Sequence, residues 1–221
     1  MDIAIGVLIR RFSSHSDPSG FAVIVLAAGA STRLGRPKAL LTPPSGGTLL
    51  DQALRQARLL SRDVRVVTGA WYPLIRFRCH LQPSVWLPCE HWARGLSASL
   101  ATGIESLGPE VKGVFVLVAD QPLLDPEALR AMGQAARQVP DQPMAADYGG
   151  RAGVPAYLPR WLWPEIMALE GDRGAGRLLT EVGSTLVPVE GIHDDVDTPS
   201  DWRRVRARLS QTGLTARQSR R

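Results

Sequence analysis

The sequence predicts an α/β fold: a single domain with a doubly wound, mostly parallel sheet and helices on both faces. Three observations predict it. A chain of 221 residues suits one large domain better than two small ones. Residues 21–26 and 114–118 are continuous apolar runs, the pattern of strands buried on both faces of a parallel sheet. Strand-like and helix-like segments then alternate along the chain, as βα units do.

In order, residues 1–20 read as an N-terminal extension, closed by the polar breaker Ser13, Ser14, Ser16, Asp17, Pro18, Ser19 and Gly20. Residues 21–26 form the first strand. A helix follows over 48–60, with Leu49, Leu50, Ala53, Leu54 and Ala57 on one face. Short strands are expected at 64–68 and 84–87, a helix at 97–107 and a buried strand at 114–118. Pro126 suits the first turn of a helix over 126–138, behind Asp125 as its cap. Segments 154–158, 161–169 and 185–189 continue the alternation. A last helix covers 199–209, with Thr198 as N-cap. The domain thus spans 21–209, and 210–221 is a basic C-terminal tail.

Hydrophobic residues make up 44% and charged residues 21%, ordinary for a globular protein with a sizeable core. Two cysteines, Cys79 and Cys89, without a CxxC or clustered histidines, argue against a disulfide framework or zinc site and for a reducing cytoplasm. No apolar stretch reaches the roughly 20 residues needed to span a bilayer, so no membrane partner is expected. The net charge of +5 is mostly arginine, since Lys38 and Lys112 are the only lysines. Arg203, Arg204, Arg206, Arg208, Arg217, Arg220 and Arg221 crowd the C-terminus. They read as a solvated helix and tail, and no aromatic-interleaved motif supports nucleic-acid binding.

Chemistry concentrates at strand ends, where α/β sheets place their ligands. The first strand runs into Ala27-Ala28-Gly29-Ala30-Ser31-Thr32-Arg33-Leu34-Gly35-Arg36-Pro37-Lys38. Small residues there let the backbone approach a ligand, and successive N–H groups can cradle anionic oxygens. Arg33 can clamp phosphate bidentately and Lys38 adds a point charge. The segment is neither a P-loop nor a GxGxxG fingerprint. After the strand at 114–118, Asp120 offers the hard oxygen that Mg²⁺ prefers. Asp194, Asp195, Asp197 and Asp201 cluster before the last helix. The helix dipole accounts for Asp201 better than for Asp195 or Asp197.

The pattern Leu26-Ala27-Ala28-Gly29-x-Ser31-x-Arg33-x-Gly35-x-Pro37-Lys38-x-Leu40-Leu41 resembles the signature loop of the MobA-like NTP transferases, most of all the molybdenum cofactor cytidylyltransferases. Ala119-Asp120-Gln121-Pro122 and Asp197-Thr198-Pro199 resemble two further segments of that family. So do Trp92-Ala93-Arg94-Gly95-Leu96-Ser97-Ala98-Ser99-Leu100-x-x-Gly103, Gly153-Val154-Pro155 and Gly171-Asp172-Arg173-Gly174-Ala175. The family often has Asn where Cys89 stands here. The resemblance covers residues 21–209.

It implies a Rossmann-like, nucleotide-diphospho-sugar transferase-like fold and a nucleotidyltransferase. Leu26, Ala27, Ala28, Gly29, Ser31, Arg33, Lys38 and Ser97 would bind the nucleotide. Lys38, Arg33 and Asp120 would be catalytic. Asp120 and Asp197, with Asp195 as the competitor for the second place, would hold Mg²⁺ or alternatively Mn²⁺. Pro155, Asp172 and Arg173 would line the acceptor side. The implied substrates are an NTP, with CTP favoured over GTP, and a phosphorylated pterin-type acceptor, with a molybdoenzyme as recipient. CTP is favoured because the guanylyl branch usually reads LAGG where this chain has Leu26-Ala27-Ala28-Gly29. Two alternatives stand beside this reading: a nucleotidyltransferase for a sugar or alditol phosphate, and a non-catalytic nucleotide-binding chaperone for the cofactor.

Overall fold

The computed structural model describes residue 17 and residues 19–218, and it contains one seven-stranded sheet. The strands are β1 (Phe21–Ala27), β2 (Asp63–Thr68), β3 (Val85–Pro88), β4 (Gly113–Val118), β5 (Met144–Asp147), β6 (Ala152–Pro159) and β7 (Thr185–Val187), in the order β3-β2-β1-β4-β6-β5-β7. β3, β2, β1 and β4 run parallel. β6 is antiparallel to both of its neighbours, and β7 pairs parallel with β5. The sheet is therefore mostly parallel, with one reversed strand.

β1 and β4 are buried on both faces, as their unbroken apolar runs predict. Because side chains alternate along a strand, Phe21, Val23 and Val25 join one core with α1 (Leu49–Ala57), α2 (Leu74–Arg78) and α4 (Pro126–Gln138). Ala22, Ile24 and Leu26 join the other with α3 (Leu96–Glu105), α5 (Trp163–Met167) and α6 (Gly176–Glu181). Each fully buried aliphatic side chain stabilises the fold by roughly 1.5–3 kcal/mol. Helices on both faces follow directly.

Helix starts are set by side chains. Thr48 and Asp51 cap α1 reciprocally: Asp51 N–H donates to Thr48 Oγ1 (3.1 Å), and Thr48 N–H to Asp51 Oδ2 (2.7 Å). The Asp125 carboxylate accepts from the N–H groups of Glu127 and Ala128 at the start of α4 (both 3.1 Å), so Asp125 is the cap that the sequence suggests. α7 (Pro199–Gln218) opens on a similar pair, Thr198 with Asp201, and runs past the expected end at 209. Its Trp202 and Val205 pack on Leu34, Leu41, Leu49 and Val196, pinning the loop after β1 to the segment before the helix.

The segment expected over 161–169 is a 3-10 turn at Arg160–Leu162 followed by the short α5. β5, α2 and α6 appear where no element was expected. The extension at 1–20 lies outside the described residues apart from Asp17, Ser19 and Gly20. Asp17 Oδ2 accepts from Ser61 Oγ (2.9 Å) and Arg62 N–H (3.0 Å), just ahead of β2.

From β1 the chain steps to β2 and β3 on one side, then crosses to β4 on the other. That reversal opens a crevice outside the carboxyl ends of β1 and β4, the usual ligand position in such sheets.

Candidate active site

The loop leaving β1 folds back on itself. Ser31 is left-handed at φ 55°; its carbonyl accepts from the N–H groups of Leu34 (3.0 Å) and Gly35 (3.1 Å), and its hydroxyl from Lys38 N–H (3.2 Å). Trp71 Nε1 holds the carbonyl of Ala30 from outside (2.8 Å). This closure carries Lys38 back over the strand end. Among the described residues, none beyond its chain neighbours lies within 4 Å of where a Cβ on Gly29 would stand, so the turn presents its backbone to open space.

Two backbone bonds gather the acidic residues under Lys38. Ala119 N–H donates to the Leu26 carbonyl (3.1 Å), joining the ends of β1 and β4, and Val196 N–H donates to the Asp120 carbonyl (3.1 Å). Lys38 Nζ donates to Asp120 Oδ2 and to Asp197 Oδ1, the latter at 2.9 Å. Arg33 pairs with Asp197 Oδ2 at 2.9 Å, but its side chain is 70% exposed against 14% for Asp120, so solvent weakens that pair. Burial opposes the charge on Lys38, yet the Asp120 and Asp197 carboxylates outweigh it and raise the ammonium above its ordinary value. Burial likewise opposes ionisation of Asp197, and the hydrogen bond and charge of Lys38 prevail, lowering its pKa. Asp195 goes the other way: burial first, then the negative charges of Asp120 and Asp197, raise it.

These residues suit a divalent cation. Among the described residues, Asp120 Oδ1 is buried without a hydrogen-bond partner, which strongly disfavours a bare carboxylate oxygen unless something neutralises it. Among the described residues no three His, Cys, Asp or Glu side chains form a metal-holding group. The site therefore offers a pair of carboxylates, the modest donor set Mg²⁺ uses alongside phosphate oxygens. Lys38 joins Asp197 to Asp120, which favours Asp197 over Asp195 as the second carboxylate.

Two cavities meet here. One, of about 360 Å³, is lined by Leu26, Ala27, Ala28, Gly29, Ser31 and Lys38, with Trp71 and Trp92 as aromatic walls. The other, of about 740 Å³, is lined by Gln121, Tyr148, Arg151, Val154, Arg177 and Asp195 among others. Val118 and Asp120 belong to both linings.

Most expected site residues converge, and some do not. Arg33 lines neither cavity and reaches the site through Asp197. Ser97 is buried, and its hydroxyl and N–H donate to the Gly171 carbonyl (2.8 and 3.1 Å); Ser99, two residues on, lines the first cavity instead. Asp172 lines that first cavity, not the second. Pro155 is buried in β6 beside Val154, and Arg173 is exposed and lines neither cavity. Sequence reasoning missed Trp71, Gln121, Tyr148, Arg151 and Arg177. Of these, Gln121 lay inside the segment Ala119-Asp120-Gln121-Pro122, and Arg151 had its place next to Gly149-Gly150, a hairpin-turn pair.

Residues 23–186 match the MobA-like NTP transferase domain. The chain belongs to the MobA-like NTP transferase family. Like this family it is a nucleotidyltransferase. It is 30% identical over 206 residues to the purine catabolism protein PucB of Bacillus subtilis (strain 168), covering 85% of this chain and 96% of that one. Over a shorter stretch of 71 residues it is 39% identical to a probable molybdenum cofactor guanylyltransferase of Rhodopirellula baltica, covering 32% of this chain and 33% of that one. Among solved structures, the Mycobacterium tuberculosis H37Rv protein Rv0371C in complex with manganese superposes with a TM-score of 0.67 at 27% identity, covering 83% of this chain and 96% of that one. That complex is consistent with a divalent metal in this MobA-like enzyme. No helix among the described residues is long and apolar enough to cross a membrane.

Proposed function

We propose that this nucleotidyltransferase moves CMP from CTP to the phosphate of a pterin-type acceptor, molybdopterin or molybdenum cofactor, and releases pyrophosphate. The observation that carries the reading is the placement of Lys38 and Asp120 together at the boundary of two cavities. In this reading the smaller cavity takes the nucleotide and the larger one the acceptor. The α-phosphorus then lies at the boundary, where an acceptor oxygen can attack in line.

The new bond joins an acceptor phosphate oxygen to the α-phosphorus, and the bond from that phosphorus to the bridging oxygen breaks. An acceptor phosphate is already anionic, so no general base is required, and positioning and charge neutralisation supply the rate. Lys38 neutralises charge growing on the α-phosphate, and the amide-lined turn around Gly29 receives phosphate oxygens. Arg33 orients Asp197 and meets the outer phosphates. Mg²⁺ or Mn²⁺ held by Asp120 and Asp197 would supply Lewis-acid neutralisation of the phosphate oxygens. CTP is supported by Ala28, a buried residue of the first cavity's lining that adds a methyl group where the guanylyl branch usually has glycine. The pterin acceptor is supported by the relative named for molybdenum cofactor chemistry, and a molybdoenzyme would receive the product.

Pyrophosphate release with each of the four NTPs, with and without reduced molybdopterin, tests the proposal. CTP with molybdopterin should give the highest turnover. Release only with a sugar or alditol phosphate would replace the acceptor, release best with GTP would replace the nucleotide, and binding without release would leave a chaperone.

A further inference from the structure

We propose that Arg151 is the residue of the larger cavity that grips the phosphate monoester of the acceptor. The inference rests on the assignment of that cavity to the acceptor. Five charged side chains line it: Asp120, Asp195, Glu181, Arg177 and Arg151. Asp120 is engaged by Lys38, and Arg177 by Glu181 at 2.6 Å. Arg151 is the lining cation for which the described residues provide no ion pair. An incoming dianion meets carboxylates on one wall and needs a counter-charge on the other, and a guanidinium offers a fork of donors matched to phosphate.

The backbone holds Arg151 where such a grip would work. It ends the β5–β6 hairpin, whose tip contains Gly149 and Gly150 at φ 72° and 83°, and its carbonyl accepts from Tyr148 N–H (2.9 Å). Tyr148 ties the hairpin to the turn bearing Asp120: its hydroxyl donates to the Val154 carbonyl and accepts from Gln121 Nε2, both at 2.8 Å. The β5–β6 pairing also shifts register between Ala145 and Ala146, so that Ala145 opposes Ala156 but Ala146 opposes Gly153. Val154 and Pro155 are thereby left out of the ladder, and such bulges commonly re-aim chain beside a site. Arg151 is thus fixed relative to Asp120 through side-chain and backbone bonds rather than left on a free loop.

The test compares wild type, Arg151→Met and Arg151→Lys in steady-state turnover of CTP with reduced molybdopterin. Arg151→Met should raise the acceptor KM by about tenfold or more, the scale of a lost charged hydrogen bond, with kcat and the CTP KM little changed. Arg151→Lys should recover part of the loss. An unchanged acceptor KM, or equal rises in both KM values, would overturn the role. Calorimetric titration of inorganic phosphate, with the nucleotide place filled by a CTP analogue carrying a methylene between its α- and β-phosphorus, decides the case even if wild type fails to turn over molybdopterin. Phosphate should bind wild type and bind Arg151→Met at least several-fold more weakly. Equal binding would overturn the inference, whereas absent turnover with Arg151-dependent phosphate binding would sink only the choice of acceptor.

Discussion

The two sides of the cleft are built differently. On the side of β3, β2, β1 and β4 the strands are parallel, and the cleft's charges neutralise one another: Lys38 with Asp120 and Asp197, and Arg33 with Asp197. On the side of β6, β5 and β7 the strands are short or reversed, a glycine-tipped hairpin forms the rim, and Arg151 faces the cavity from that hairpin. The first side presents a closed ionic set on parallel strands, suited in the proposed reading to a step common to all NTPs. The second presents a charge unpaired among the described residues, on a hairpin tied to the Asp120 turn, suited in the proposed reading to telling acceptors apart. In the proposed reading the contrast separates chemistry from selectivity within one sheet.

The sharpest way to break that contrast is to disarm the first side. Asp120→Ala should lower pyrophosphate release by more than about 10³-fold and Lys38→Ala by about 10²–10³-fold, chiefly in kcat. Near-wild-type turnover in either variant would remove that residue from the mechanism.

A smaller effect sharpens the account of the frame. Asp51 is fully buried at the start of α1, and its carboxylate accepts from Leu81 N–H (2.6 Å), the Cys79 thiol (3.2 Å) and Thr48. Burial alone would raise its pKa, but these bonds lower it from 3.8 to about 2. Because the folded value is the depressed one, the stabilisation is full above about pH 4 and fades as pH falls through about 2. It amounts to about 2 kcal/mol. Urea melts across that range should show the loss in wild type and a flatter profile in Asp51→Asn. Identical profiles would contradict the assignment.

On the second side, Tyr148→Phe removes the hydroxyl that ties the hairpin to the Asp120 turn. A cost of about 1–2 kcal/mol in stability is expected, together with a rise in acceptor KM larger than any in CTP KM. Equal rises would erase the division between the two sides. Ser97→Ala should have the least effect, about 1 kcal/mol of stability from the lost bond to Gly171, visible in Tm more than in CTP KM. The reverse pattern would return Ser97 to the nucleotide's contacts.

The same division decides what the sequence could reveal. β1 and β4 were legible because double-sided burial demands unbroken apolar runs, and α4 because Asp125 and Pro126 mark its start. β5 and α6, four and six residues long, are too short to carry a period. Strand direction leaves no local mark, so the reversal of β6 was hidden. Lys38, Asp120 and Asp197 could be named because each follows a strand or precedes a helix within a recognisable segment. Tyr148 could not, and the Gly149-Gly150 pair beside Arg151 marks a turn but not a site, because only the hairpin's docking beside Gln121 brings them to the cleft. Ser97 could not be placed from sequence, because a serine opening a helix looks alike whether it faces a ligand or the Gly171 carbonyl.

Asp17 offers a practical handle. Its bonds to Ser61 and Arg62 fasten the start of the described chain beneath the amino ends of β1 and β2, while the cleft opens at their carboxyl ends. A purification tag or fluorescent fusion joined just ahead of Asp17 would therefore depart from the back of the sheet, keeping both cavities clear for immobilised or single-molecule assays.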